Sequence, residues 1–177
     1  MTSRVATSML LALLIAGAAP AAAQTSSSQI ERQRPGSRLH ADDLFIYERA
    51  VESAALYGLH LDAPPPPIDI FYSEGQRLPF GDFEARPHHT PGHCPGGVCL
   101  EVARPGERGL DLFVGDTLFA GTIGRTDLPG GDYQTLIASI RHVLLPFGDD
   151  ARVYPGHGPD TTIGRERRTN PYLTIAD

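Results

Sequence analysis

Four consecutive prolines, Pro64 to Pro67, divide this chain into two stretches of different character. They supply no backbone donors and favour an extended path, so regular structure stops there and a loop crosses. Before them, Leu44, Ile46, Tyr47, Ala50, Val51 and Ala54 recur at helical spacing, and Asp42 or Asp43 stands where it can cap the first turn. After them the apolar segments are short and punctuated by turn residues. Ile68 to Tyr72, Phe83 to Pro87, Val98 to Val102 and Leu110 to Val114 read as strands of a sheet. Tyr133 to Leu145 returns to a helical period, with Leu136, Ile137, Ile140, Val143 and Leu144 on one face and Asp132 as its cap. Arg152 to Tyr154 reads as a last short strand.

At 177 residues the chain has room for one domain and not for a second. Its formal charge of -6, with acids and bases mixed along the sequence, leaves no basic stripe to neutralise phosphates, which argues against nucleic acid as a partner. Arg4, the apolar run from Met9 to Ala18 and the small residues Ala21 to Ala23 before Gln24 have the layout of a secretory signal. The run falls short of the roughly 20 apolar residues that span a bilayer, so no membrane span is expected. The expected organisation is a signal peptide over 1–23, a polar linker over 24–37 and one domain over 38–177. Export to the periplasm or the medium follows from that reading; if the alanine-rich run is an artefact of the gene start, the protein stays in the cytoplasm. Cys94 and Cys99 are too few for a disulfide framework, and a turn entering a strand separates them, so their side chains diverge as two free thiols.

Three polar residues occupy equivalent places in this layout. His93 lies in Thr90-Pro91-Gly92-His93-Cys94-Pro95-Gly96-Gly97, Asp116 follows the apolar run Leu112-Phe113-Val114-Gly115, and His157 sits in Pro155-Gly156-His157-Gly158-Pro159. Each is delivered by a glycine-rich turn at or near a strand end, a setting that bends tightly and fixes a side chain. Imidazole and carboxylate together suit zinc or iron, and one carboxylate can bridge two cations. Taken singly, each has a plain explanation as a solvated loop histidine or a turn-forming aspartate.

Their order and context resemble a known pattern. Thr-Pro-Gly-His, Gly-Asp-Thr-Leu-Phe, Gly-Arg-Thr-Asp and Tyr-Pro-Gly-His-Gly-Pro, closed by Asn170-Pro171-Tyr172, resemble the second half of the metallo-β-lactamase superfamily, in its glyoxalase II-like branch, from about Arg38 to Leu173. The resemblance implies an α/β fold, the αββα sandwich of that superfamily with its N-terminal half truncated. It implies that His93 binds one metal, His157 the other, and that Asp116 bridges them and so serves catalysis. It further implies zinc, with iron or manganese as alternatives, two ions in intact relatives, and attack of a metal-bound hydroxide on a carbonyl. The substrate implied is a small thioester such as a hydroxyacylglutathione, or a related ester. Arg125 matches a position that meets an anionic substrate group; its plain alternative is a loop cation paired with Asp127.

One departure bears on all of this. The superfamily's His-x-His-x-Asp-His signature is absent, since none of His40, His60, His88, His89, His93, His142 and His157 pairs in that spacing. His40-Ala41-Asp42-Asp43 reads instead as a strand end and helix cap. Each ion would then keep about one histidine and a share of Asp116, below the three or four protein ligands of ordinary zinc sites. A sheet without its N-terminal partners would also expose apolar surface or edges. Three functions remain open at this point: a metal-dependent thioesterase, a catalytically silent remnant or binding module of the same fold, and a β-lactam hydrolase, which the signal peptide alone favours.

Overall fold

Alternation along the strands builds the main sheet. In β6 (Asp111–Gly115), Leu112 and Val114 are fully buried while Phe113 is 42% exposed, the two-residue period of a strand with one face on the core. The computed structural model describes residues 37–56, 58–61 and 63–174; the segment read as a signal peptide and nearly all of the linker lie outside the described residues. β3 (Leu78–Phe80), β4 (Phe83–His89) and β5 (Val98–Ala103) join β6 as antiparallel neighbours. β9 (Arg152–Pro155) pairs with β6 in parallel, and β10 (Thr161–Thr162) closes the order β10-β9-β6-β5-β4-β3. A parallel pair needs a crossover. Here it contains the hairpin β7 (Leu118–Phe119) and β8 (Thr122–Ile123), then α3 (Tyr133–Ser139) with a π-helical continuation over Ile140–Leu144 and a 3-10 turn over Leu145–Phe147. Pro146 brings no N–H, so the helical ladder stops there.

The core lies between this helical crossover and the sheet. Leu136, Ile140 and Leu144 from the crossover meet Leu112, Val114, Cys99 and Val153 from the strands, and Ile163 from α4 (Ile163–Thr169), all fully buried. Asp132 caps α3 as expected, accepting from the Thr135 N–H at 2.7 Å. The opposite face of the sheet is apolar; Ala85 and Leu100 are buried on it, while its two ends are exposed. Phe113 and Tyr154 stack there with centroids 5.0 Å apart, and Phe80 and Phe83 are 49% and 40% exposed, so the expected exposed apolar sheet surface is present.

Several boundaries differ from the sequence reading. The first helix is a 3-10 turn (Ala41–Asp43) followed by two short helices, α1 (Leu44–Glu48) and α2 (Ala50–Leu56). Neither aspartate caps it through its side chain. His40 does so, its Nδ1 accepting from the Asp42 N–H at 3.3 Å. The Asp43 carboxylate is drawn away by a stronger set of donors, Gly96 N–H at 2.7 Å and Cys94 Sγ–H at 3.0 Å. Strand 68–72 shrinks to β2 (Ile70–Phe71), paired in parallel with β1 (Arg38–Leu39). No pattern in the sequence announces β3, the β7–β8 hairpin, or α4 and α5 (Pro171–Thr174).

The fully buried Glu166 ties these late elements to the crossover hairpin. It accepts from Thr161 Oγ1 at 2.6 Å, the Gly121 N–H at 2.8 Å and Asn170 Nδ2 at 2.9 Å. Glu166→Ala would leave two buried donors, on Thr161 and Asn170, without this acceptor at about 1–3 kcal/mol each, so a fall in unfolding free energy of at least about 2 kcal/mol is expected in urea titration; a fall under about 1 kcal/mol would show these bonds to be replaceable by water.

The two cysteines are free and diverge, as expected from their spacing. Cys99 is fully buried against Thr90 and Thr117, and burial pushes its thiol up to about 11. At pH 8 Cys99 should resist iodoacetamide in the native protein and react on unfolding, as peptide mass mapping would show; fast native labelling would contradict this packing.

Candidate metal centre

The loop between β4 and β5 presents His93, and it is nailed down on several sides. The Thr90 N–H donates to Gly97 O at 2.7 Å, the Asp132 N–H to Gly92 O at 2.8 Å, and Ser139 Oγ to Pro91 O at 2.7 Å. Gly92, at φ 129°, is packed against the Leu136 backbone so closely that a Cβ would overlap it. The loop therefore rides on the start of α3. Asp116 leaves β6 just after Gly115, whose φ of 52° turns the chain sharply. The neighbouring parallel strand β9 runs into His157, and a Gly156 N–H bond to Gly115 O at 2.8 Å joins the two strand exits. Parallel pairing of β6 and β9 is thus what sets Asp116 beside His157.

The three residues that the sequence singled out converge at this rim. His93 Nε2 lies 3.8 Å from Asp116 Oδ2, and His157 Nδ1 lies 3.2 Å from Asp116 Oδ1. The two imidazoles therefore approach different oxygens of one carboxylate. Asp116 and His93 side chains are only 11% and 17% exposed, whereas His157 is 55% exposed and leans on the Phe119 ring at 4.5 Å. On its other edge His93 contacts the Arg125 carbonyl, Nδ1 to O 2.8 Å. A carbonyl only accepts, so Nδ1 carries a proton and Nε2 is the nitrogen turned toward Asp116. A backbone carbonyl that fixes the tautomer and aims the free nitrogen is the usual outer support of a metal-bound histidine. The donor set fits cation binding on that ground.

The sequence reading missed the residues that leave room for this arrangement. A Cβ on Gly124 would overlap the Asp116 carbonyl oxygen and lie 3.3 Å from His93 Cβ, and one on Gly156 would lie 2.7 Å from Asp116 Oδ1. Both glycines stand inside the motifs already quoted, so the signal is present there but reads as turn chemistry alone.

Arg125 forks onto Asp127, with Nε to Oδ1 at 2.7 Å and NH2 to Oδ2 at 2.6 Å. Those bonds hold the Asp127 carboxyl down at about 2. The pair anticipated as the plain reading of Arg125 is therefore formed, while its guanidinium stays 46% exposed. Cys94, next to His93, gives its Sγ–H to Asp43 Oδ2; burial first, then the Asp43 charge, drives the thiol far above its ordinary value. The neighbouring cysteine is therefore a protonated thiol and a poor nucleophile.

A second group of ligand-type side chains, His40, Asp42 and His89, gathers where β1 and β4 end. Burial and the neighbouring His89 hold the His40 ring below its ordinary value, so it is neutral at pH 7. No motif or spacing in the sequence signals this grouping.

A family model described as the metallo-beta-lactamase superfamily matches residues 22–157. Hydroxyacylglutathione hydrolase GloC of Haemophilus influenzae is 45% identical over 133 residues, covering 74% of this chain and 60% of that protein. The probable metallo-hydrolase YqgX of Bacillus subtilis is 39% identical over 122 residues, covering 68% of this chain and 54% of its own length. The chain thus spans between 54% and 60% of these two relatives. Among solved structures, TTHA1623 in a di-iron-bound form superposes with a TM-score of 0.68 at 43% identity, covering 83% of this chain and 69% of that one. The BLEG-1 B3 metallo-beta-lactamase superposes at 0.67 with 37% identity, covering 84% and 69%.

Proposed function

The chain belongs to the metallo-β-lactamase superfamily, and on that premise we propose that it is a metal-dependent hydrolase of small thioesters, of the hydroxyacylglutathione kind. The observation that carries the reading is the approach of His93 Nε2 and His157 Nδ1 to the two oxygens of the single, mostly covered carboxylate of Asp116. A cation pair bound there supplies Lewis acidity, making a held water acidic enough to ionise near neutral pH and polarising a carbonyl. The likeness to a di-iron-bound structure, and a donor set of imidazole and carboxylate, leave iron and zinc as the candidate ions.

The chain's own residues do the rest. The Arg125 carbonyl holds the His93 tautomer; Asp116, held between two imidazoles, offers one oxygen to each side. His157 is the exposed member of the group and packs beside Phe119, so this is its solvent-facing side. The Cys94 thiol beside His93 is committed to Asp43, which removes it as a nucleophile and assigns that part to water in the proposed reaction. Arg125, oriented by Asp127 and still half-exposed, is placed to meet a carboxylate of the substrate. Arg125→Ala should raise KM about tenfold with kcat within about twofold, since losing uniform binding leaves the chemical step alone. An unchanged KM would return Arg125 to a surface ion pair.

A specific observation favours a second reading. With one histidine on each carboxylate oxygen, the described residues supply fewer donors per ion than ordinary zinc sites, which suits a catalytically silent module. Turnover of a hydroxyacylglutathione by chelator-treated protein, before and after adding back zinc or iron, separates the two. Restored, metal-dependent turnover supports the thioesterase; background turnover under every condition supports the silent module. Hydrolysis of nitrocefin in preference to the thioester would replace both with a β-lactam hydrolase.

A further inference from the structure

His40 follows β1 and His89 closes β4, and the fold stacks their imidazoles with centroids 4.0 Å apart and planes within 10°. Asp42 Oδ2 lies 3.5 Å from His40 Nδ1 and 3.9 Å from His89 Nε2. One donor atom from each of the three falls within 4.8 Å of the others. We propose that His40, Asp42 and His89 form a further cation site, separate from the His93, Asp116 and His157 centre, for a borderline divalent ion such as zinc or copper(II).

Two imidazoles and one carboxylate are a donor set that such ions prefer over magnesium or calcium, which favour oxygen alone. Access is open, because the side chains of Asp42 and His89 are 57% and 41% exposed, leaving positions for water to complete the coordination. His40 is only 20% exposed and anchors the group to the body of the fold. Each ring is also steadied from the backbone: Pro95 O accepts from His89 Nε2 at 2.8 Å, and the Asp42 N–H donates to His40 Nδ1 at 3.3 Å. These bonds occupy the two nitrogens nearest Asp42, so a cation would take the place of the His89 Nε2 proton and of the Asp42 N–H at His40 Nδ1, or bind the opposite nitrogen of a ring once it turns. Imidazole lone pairs lie in the ring plane, so both rings cannot aim at one ion while stacked. Ligation turns a ring out of the stack, and the more exposed His89 is the one with room to turn. The competing account is a stack that only packs β1 against β4 and takes up no ion.

Calorimetric titration with zinc of the full chain carrying H93A, D116A and H157A tests this without the first centre. One zinc per chain is expected, and adding H40Q and H89Q should weaken binding at least tenfold. No uptake by the triple variant, or equal uptake after the further two changes, overturns the proposal. Should the triple variant not fold by circular dichroism, the wild-type chain with 15N-labelled histidine serves. Zinc should then shift the ring nitrogens of both His40 and His89, and unmoved resonances would refute the site. Because the triple variant lacks the hydrolytic centre, failure here leaves the proposed activity standing, and loss of that activity leaves this site standing.

Discussion

Asp116→Ala is expected to abolish metal uptake at the proposed centre and to reduce the proposed thioester turnover to background. The carboxylate is the one group both imidazoles share, at 3.2 Å from His157 Nδ1 and 3.8 Å from His93 Nε2. Removing it severs both sides at once. Loss of a mere outer-shell support costs about 10–100-fold in metal affinity or activity, and a shared ligand must exceed that. Asp116→Asn is the sharper form of the test. It keeps the shape but removes the negative charge and one of the two oxygens, so binding should weaken at least about 100-fold without loss of fold. Elemental analysis after dialysis, together with initial rates, reads both quantities. Wild-type rates in either variant would remove Asp116 from the mechanism.

Gly124→Ala is expected to damage the same centre without touching any donor atom. The added Cβ would overlap the Asp116 carbonyl oxygen, a backbone atom that cannot swing aside, and would press on His93 Cβ at 3.3 Å. The turn must shift, carrying Asp116 and the neighbouring Arg125 carbonyl that orients His93. Overpacking of this sort costs about 1–3 kcal/mol, occasionally more, and misplacement by about 1 Å can cost about 100-fold in rate. Gly121→Ala is the control. It has open space around the new methyl but a φ of 75°, so it should cost only the roughly 1–2 kcal/mol of left-handed strain, with turnover kept. Equal activity losses in the two variants would show that backbone conformation, rather than room beside Asp116, is the critical property.

The convergence of His93, Asp116 and His157 was legible because each of the three is announced locally. Glycine and proline around His93 and His157, and an apolar strand ending at Asp116, are features of neighbouring residues, and their order along the chain carried the family resemblance. The same locality explains the misses. Asp43 looked like a helix cap because a cap is a local device, yet its carboxylate bonds to Gly96 and Cys94, residues brought near only by folding. The stack of His40 on His89 joins two strand ends and leaves no periodic or motif trace. The hairpin of Leu118–Phe119 and Thr122–Ile123 is too short for alternation to register, and α4 begins at a Thr162 cap whose apolar face is mostly Ile163. Helix lengths were overestimated for a related reason. Periodicity over 44–54 and 133–145 survives a change from α to 3-10 or π geometry, while the hydrogen-bond ladder does not.

The family match supports a metal-dependent hydrolase, and the thioester named in the proposal rests on the likeness to a hydroxyacylglutathione hydrolase. The described residues include no helix long and apolar enough to cross a membrane, and the substrate proposed is a small anionic thioester. The apolar face bearing Phe113 and Tyr154 lies on the same strands, β6 and β9, whose exits carry Asp116 and His157.

Anomalous diffraction from crystals grown with zinc tests the shared role of His93, Asp116 and His157 most directly. A peak within about 2.0–2.2 Å of an Asp116 oxygen and of at least one of the two imidazoles is the predicted result. Density for zinc elsewhere in the molecule and none at Asp116 would contradict it.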